Sequence, residues 1–198
     1  MSISTYAELK TAMANWLKRT DIADRIPEFI TLAEAKIKRE LRTHDMESVN
    51  SFTVDSEYEN IPTGILETRD ITLVTDPTKT LQYLPPAQLV GRYQGQSGEP
   101  RAFTVIGSQY RFGPVPDGSY TAEATGYSYT DLSDSNTTSW VLTKHPDLIL
   151  YGSLMQAEPF LRNDPRIQTW AALYQACKDA IENADWNSAL TNPTMRAD

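Results

Sequence analysis

The residues best suited to chemistry are few and scattered. His44 and His145 stand about a hundred positions apart with no HxxxH or Cys–His spacing, so neither falls in the close spacing that zinc sites use. Each reads as a residue at a helix border. Cys177, the single cysteine, shares a helical face with Leu173, Tyr174 and Ile181, and free cysteine in such company packs as a small apolar group. Asp131, Asp134 and Asn136 offer oxygen ligands, but the stretch lacks the central glycine and closing glutamate of an EF-hand. Glu57, Glu59 and Glu67 are the carboxylates a small hydrolase would draw on, and two of them would have to face one cleft. Gly91, Gly95 and Gly98 are scattered through a loop without the strand-to-helix context of a phosphate-binding turn. No catalytic residue, metal site or cofactor site is expected, and the chain is read as a structural protein and not an enzyme.

Five aromatic residues of the strand-like middle section, Tyr110, Phe112, Tyr120, Tyr127 and Tyr129, raise a second possibility. Aromatic faces stack on sugar rings or nucleobases. Cross-strand packing is the plainer account of the same residues.

Composition narrows the choice of partners. The 198 residues suit one domain, or a helical body with an insertion, and 40% hydrophobic with 22% charged residues is the mixture of a folded chain. A net charge of -8 opposes a dedicated DNA-binding surface, which concentrates Lys and Arg to displace phosphate counterions. The most basic stretch, Lys36, Lys38, Arg39 and Arg42, is interleaved with Glu34 and Glu40 in the manner of a solvated helix face. One cysteine forms no internal disulfide, and no apolar run approaches the roughly 20 residues that span a bilayer. Synthesis in a host cytoplasm with no membrane association is the expectation.

Periodicity supplies the elements. Ser4 or Thr5 caps a first helix, with Glu8 at capping-box spacing from Thr5, and Leu9, Met13, Trp16 and Leu17 share a face. Pro27 suits the first turn of a second helix reaching about Arg42, whose stripe of Phe29, Ile30, Ala33, Ile37 and Leu41 would pack on the first. Between 46 and 140 the apolar period drops to two, with strand candidates at 80–84, 102–106, 109–112 and 119–129 separated by Gly and Pro turns. Short antiparallel meanders are predicted. Helices return after His145-Pro146: Leu148, Leu150, Tyr151, Leu154, Met155 and Phe160 mark one, and Ile167, Trp170, Leu173, Tyr174, Cys177 and Ile181 mark a last one ending near Trp186. Pro193 and the polar residues around it read as a tail. The predicted fold is α+β: a four-helix bundle of two N-terminal and two C-terminal helices, an inserted antiparallel β-domain and an extended C-terminal tail. The segments are 1–45, 46–143, 144–187 and 188–198.

This order of elements resembles the head-to-tail adaptor, or head-completion, proteins of tailed bacteriophages. The resemblance rests on Thr5-Tyr6-Ala7-Glu8-Leu9, the helix from Ile26-Pro27-Glu28-Phe29-Ile30 to Lys38-Arg39-Glu40-Leu41-Arg42, the Leu84-Pro85 step, the hairpin from Phe103-Thr104-Val105 to Tyr110-Arg111-Phe112, and His145-Pro146-Asp147-Leu148-Ile149-Leu150-Tyr151-Gly152. It covers nearly the whole chain, and the order of the pieces carries it. It implies a virion protein at the head–tail junction: a ring, usually dodecameric, that docks beneath the portal protein, continues the DNA channel without binding DNA specifically, and receives the tail nozzle or another tail protein. It further implies that the C-terminal segment, here Ser188 to Asp198, reaches the portal. Within it Asn192, Pro193, Thr194, Met195 and Arg196 are the expected portal contacts, and Lys36, Arg39 and Arg42 are expected to pair with acidic groups of a neighbouring subunit. The rival reading is a carbohydrate-binding or tail-fibre-associated module that uses the strand aromatics.

Overall fold

The computed structural model describes residues 3–19, 21–161 and 165–191. Thr5 begins the fold as predicted: its Oγ1 accepts the Glu8 N–H while Glu8 Oε2 accepts the Thr5 N–H, closing a capping box ahead of helix α1 (Tyr6–Leu17). Lys18, at φ 52°, ends that helix in the left-handed region. Helix α2 (Ile26–Glu40) carries Pro27 in its first turn, where a missing N–H leaves no helical bond unmade. Strands follow: β1 (Glu47–Val54), β2 (Tyr58–Asn60), β3 (Ile65–Leu73), β4 (Lys79–Thr80) and β5 (Gln82–Tyr83). Helix α3 (Pro86–Tyr93) precedes β6 (Ala102–Ile106), β7 (Gln109–Gly113) and β8 (Tyr120–Ser128), and α4 (Trp140–Lys144), α5 (Pro146–Leu161) and α6 (Ile167–Thr191) complete the order.

The chain divides into two compact units, residues 1–45 with 130–198, and Met46–Tyr129. In the helical unit α5 is the central element, packed against α2 and α6 and also touching α1 and α4. Leu148, Ile149, Leu154 and Ala157 of α5 are fully buried, together with Leu9 and Met13 of α1 and Ala33 and Ile37 of α2. The α2 stripe thus faces α5 more than α1, because the buried residues of α5 are spread around much of its circumference and need cover from several neighbouring helices. Gly152 lets α6 approach: a Cβ there would lie 3.2 Å from Tyr174 Cε2 and 3.4 Å from Ala33 Cβ. Residues 130–143, grouped with the sheet by their polar composition, belong to this unit. The Leu132 N–H donates to buried Glu34 at 2.9 Å, and the Tyr6 N–H donates to the Thr137 carbonyl at 2.8 Å.

The sheet unit contains two four-stranded sheets, ordered β1-β8-β3-β4 and β2-β7-β6-β5. Val54, Ile71, Leu73, Ala122 and Ala124 of the first share one core with Phe103, Tyr110 and Phe112 of the second. Tyr110 spans that core, and its hydroxyl reaches Thr68 Oγ1 at 2.5 Å. Gly126 is required where β8 meets the irregular stretch of β3, since a Cβ would stand 2.1 Å from the Glu67 carbonyl oxygen.

A four-helix bundle around a single antiparallel β-domain is therefore not the fold. Among the described residues there are six α-helices, one of them inside the sheet unit, and two sheets. Ser139 caps the extra helix α4 by accepting the Leu142 N–H, and Pro146 separates α4 from α5 because it has no N–H to continue the ladder. Where alternation predicts one strand over 80–84, the chain makes two, in different sheets. Leu81 turns into the core between them, and its N–H bonds the Ile71 carbonyl. The pairing of β5 with β6 is parallel, so the section is not a run of meanders. Helix α6 continues to Thr191, past the predicted end at Trp186, as no Gly or Pro interrupts it before Pro193.

Candidate assembly surface

The residues singled out for chemistry are occupied with folding. Asp131 pairs with Lys38 at 2.7 Å and Asp134 with Lys10 at 2.8 Å, while the Asn136 amide donates to the Asp131 carbonyl. The polar 131–136 stretch thus fastens the chain to α1 and α2. Glu57 pairs with Arg111 at 2.7 Å, and Glu59 accepts the N–H groups of Asp55 and Ser56 at a turn. Tyr110, Phe112 and Tyr129 are buried, which takes three of the five strand aromatics out of reach of a sugar. Gly91 falls within α3, whereas Gly95 and Gly98 adopt φ of 72° and 154° in the following loop.

Cys177 is half-buried, and its Sγ donates to Asp147 Oδ2 at 3.1 Å. Burial first, and then the bond to an anion, push the thiol up to about 12, so it stays protonated at neutral pH. Close by, Tyr174 donates to Glu40 at 3.2 Å; burial, with the Glu40 charge beside it, raises the phenol. Glu40 also receives Lys36, and Lys178 stands 3.7 Å away. Burial is the largest single influence on Glu40 and opposes its charge, but the bond and charge of Lys36, the Tyr174 hydroxyl and the Lys178 charge together hold the carboxyl below its usual range.

The fold unites the two histidines that the sequence separates. His44 and His145 line one cavity of about 340 Å³ in the helical unit, with Asp45, Lys144 and Asp185. The His44 backbone N–H donates to Asp185 Oδ1 at 2.7 Å, and Lys144 pairs with Asp45. Among the described residues no group of three or more His, Cys, Asp or Glu is placed to hold a metal ion.

What the helical unit does present is aromatic surface. Trp16 of α1, 43% exposed, stands edge-on to Trp170 at 5.5 Å and to Tyr151 at 6.1 Å, while Tyr151 and Trp170 stack at 6.2 Å. Trp170 is fixed by its indole N–H, which donates to buried Glu158 at 2.7 Å. Phe160, 53% exposed, tilts against Phe29 of α2 at 5.7 Å. Tyr151 and Phe160 are nine positions apart on α5, about half a turn around the axis at roughly 100° per residue. Two aromatic patches consequently lie on opposite sides of the central helix. Periodicity places Trp16 and Phe160 on buried faces, and both are exposed. The available clue for Trp16 is that Leu17 beside it claims the core; for Phe160 it is Pro159 in the last turn.

Of the three cations predicted to meet a neighbouring subunit, Lys36 bonds Glu40 and Arg42 donates to the Lys38 and Leu41 carbonyls at the end of α2. Arg39 is exposed and forms no ion pair among the described residues. Asn192, Pro193, Thr194, Met195 and Arg196 lie outside the described residues.

No described helix is long and apolar enough to cross a membrane. No curated protein matches the chain. A family model described as SU10 adaptor protein matches residues 4–196, nearly the full length, in agreement with the resemblance to phage head-to-tail adaptors. Because that match runs through both the helical unit and the sheet unit, the chain belongs to the SU10 adaptor protein family.

Proposed function

We propose that the chain is the subunit of an adaptor ring that sits below the portal, continues the DNA channel toward the tail and gives the tail its attachment site. The observation that carries this reading is the pair of aromatic patches, Trp16 with Tyr151 and Phe160 with Phe29, on opposite sides of α5. A ring grows by one repeated heterologous contact, which requires two different patches on opposite flanks of the same subunit. Twelve copies is the proposed number. Exposed Arg39 supplies a cation for the contact with an acidic neighbour, and the net charge of -8 per subunit gives the lumen a field that lets DNA pass without adhering. Residues 192–196 are proposed to reach the portal, and the sheet unit to meet tail proteins. The role is mechanical, with no reaction catalysed.

Electron microscopy of the purified protein, alone and mixed with assembled portal, tests the reading. Rings of defined symmetry stacked on the portal are expected. A chain that stays monomeric beside portals refutes it.

A further inference from the structure

Among the free edges of the sheet unit, one opens where the two sheets meet, and the sequence accounts for its place. Strand β4 pairs with β3 only at Thr72 and Leu73, and β5 pairs with β6 only at Ala102 and Phe103. The next bond, from the Leu84 N–H to the Phe103 carbonyl at 2.9 Å, is the last of that ladder. Pro85 and Pro86 follow, and proline has no N–H to extend it, so the chain leaves into α3. A single short crossing, β4 to β5, closes one end of the seam between the sheets. Farther along, among the described residues, no strand lies beside the outer edge of β3 over 65–70 or of β6 over 104–106.

Peptide groups alternate sides along a strand, and the Phe103 carbonyl points toward β5. The Val105 N–H and C=O, two residues on, point the same way, to where β5 has already departed. A cleft of about 630 Å³ opens at this place, lined by Ile61, Pro62, Leu66, Tyr83 and Val105 among others. Tyr83, Val105 and Ile106 are 55%, 39% and 41% exposed. Natural sheet edges are normally guarded by lysine, proline or a bulge. Thr104-Val105-Ile106 has none of these and is rich in strand-forming side chains.

The geometry points to a strand-acceptor site: an extended segment of a partner protein enters this cleft, lies along β6 in the line that β5 vacates, and bonds Val105 through its main chain. Only extended backbone offers a carbonyl and an N–H to both groups of one residue. Lining side chains on one wall call for apolar residues at alternate positions of the guest. Residues 46–129 carry ten Asp and Glu against five Lys and Arg, which favours basic residues at the intervening, outward positions. The guest is therefore an apolar-and-basic arm of alternating pattern. The inference does not depend on ring formation.

Amide hydrogen exchange followed by NMR on the full chain tests it, with an acetylated, amidated octapeptide of alternating valine and lysine as probe. In the chain alone the Val105 amide exchanges at least ~100-fold faster than that of Thr104, which faces β7. The peptide slows Val105 at least ~10-fold, the same peptide N-methylated at its central amides does not, and Leu66→Glu, off the ladder, weakens binding ~10-fold or more. The inference is overturned by equal binding of the N-methylated peptide, by no binding of the parent, or by Val105 already protected in the free chain. Protection that grows with protein concentration assigns the edge to a second copy instead, and overturns it equally.

Discussion

Glu34 of α2 holds Leu132 across 98 positions of sequence: its carboxylate, 1% exposed, accepts the Leu132 N–H at 2.9 Å. A buried carboxylate that serves a backbone donor is costly to remove because the donor is then left dry. Glu34→Ala is expected to lower stability by about 2–3 kcal/mol, measured by urea unfolding. Leu32→Ala, on the same helix but 51% exposed, is expected to change it by less than ~0.5 kcal/mol. Equal effects of the two would show that the bond does not anchor the 130–139 stretch.

Gly126 tests the sheet unit. An alanine Cβ would meet the Glu67 carbonyl oxygen at 2.1 Å, with backbone and not a flexible side chain as the obstacle. Gly126→Ala is expected to cost on the order of 3 kcal/mol. At Gly118 nothing lies within 4 Å of the added carbon, so Gly118→Ala is expected to shift stability by less than ~1 kcal/mol. Thermal melts of the two variants decide.

Alkaline pH should weaken the helical unit. Cys177 is raised from 9.0 to about 12 by burial and by Asp147, and Tyr174 is raised above 10.0 by burial and by Glu40. The folded state keeps these protons after the unfolded chain releases them, so their stabilisation is complete below pH 9 and is lost as pH climbs toward 12. Melting temperature is expected to fall through this window, with a shallower slope in Cys177→Ala. Asp147→Asn removes the neighbouring anion, so the thiol acidity rises and alkylation by iodoacetamide at pH 8 quickens. An unchanged alkylation rate would remove Asp147 from the account.

The aromatic patches separate assembly from folding. Phe160→Ser and Trp16→Glu alter exposed side chains, so each variant is expected to fold, with Phe160→Ser losing no more than ~1 kcal/mol. Each alone should abolish rings in electron micrographs, since a heterologous contact fails when either half is missing. Mixing the two variants should yield dimers joined through the one intact pair of patches. Rings formed by both variants would place the subunit contact elsewhere.

What could be read from the chain follows the range of the forces involved. The Thr5–Glu8 capping box and the Pro27 helix start depend on residues within one turn of each other, and both stand where the spacing puts them. The division of 80–84 between two sheets depends on Leu81 finding a core built from distant strands, which alternation does not encode. Val141 and Leu142 carried too short an apolar signal to mark α4, although Ser139 was its cap. Trp16, Phe160 and the shared cavity of His44 and His145 were hidden for the same reason. Burial and proximity of these residues are set by how helices cross, which the periodicity of a single helix does not encode.

Glu47 and Tyr127 are register partners, so the strand that opens the inserted unit lies hydrogen-bonded beside the strand that closes it. A segment whose two ends meet is topologically a detachable cassette: the helical unit needs only a few residues to bridge the cut. Lineages of such a protein can trade one cassette for another, while the scaffold that carries it is inherited unchanged.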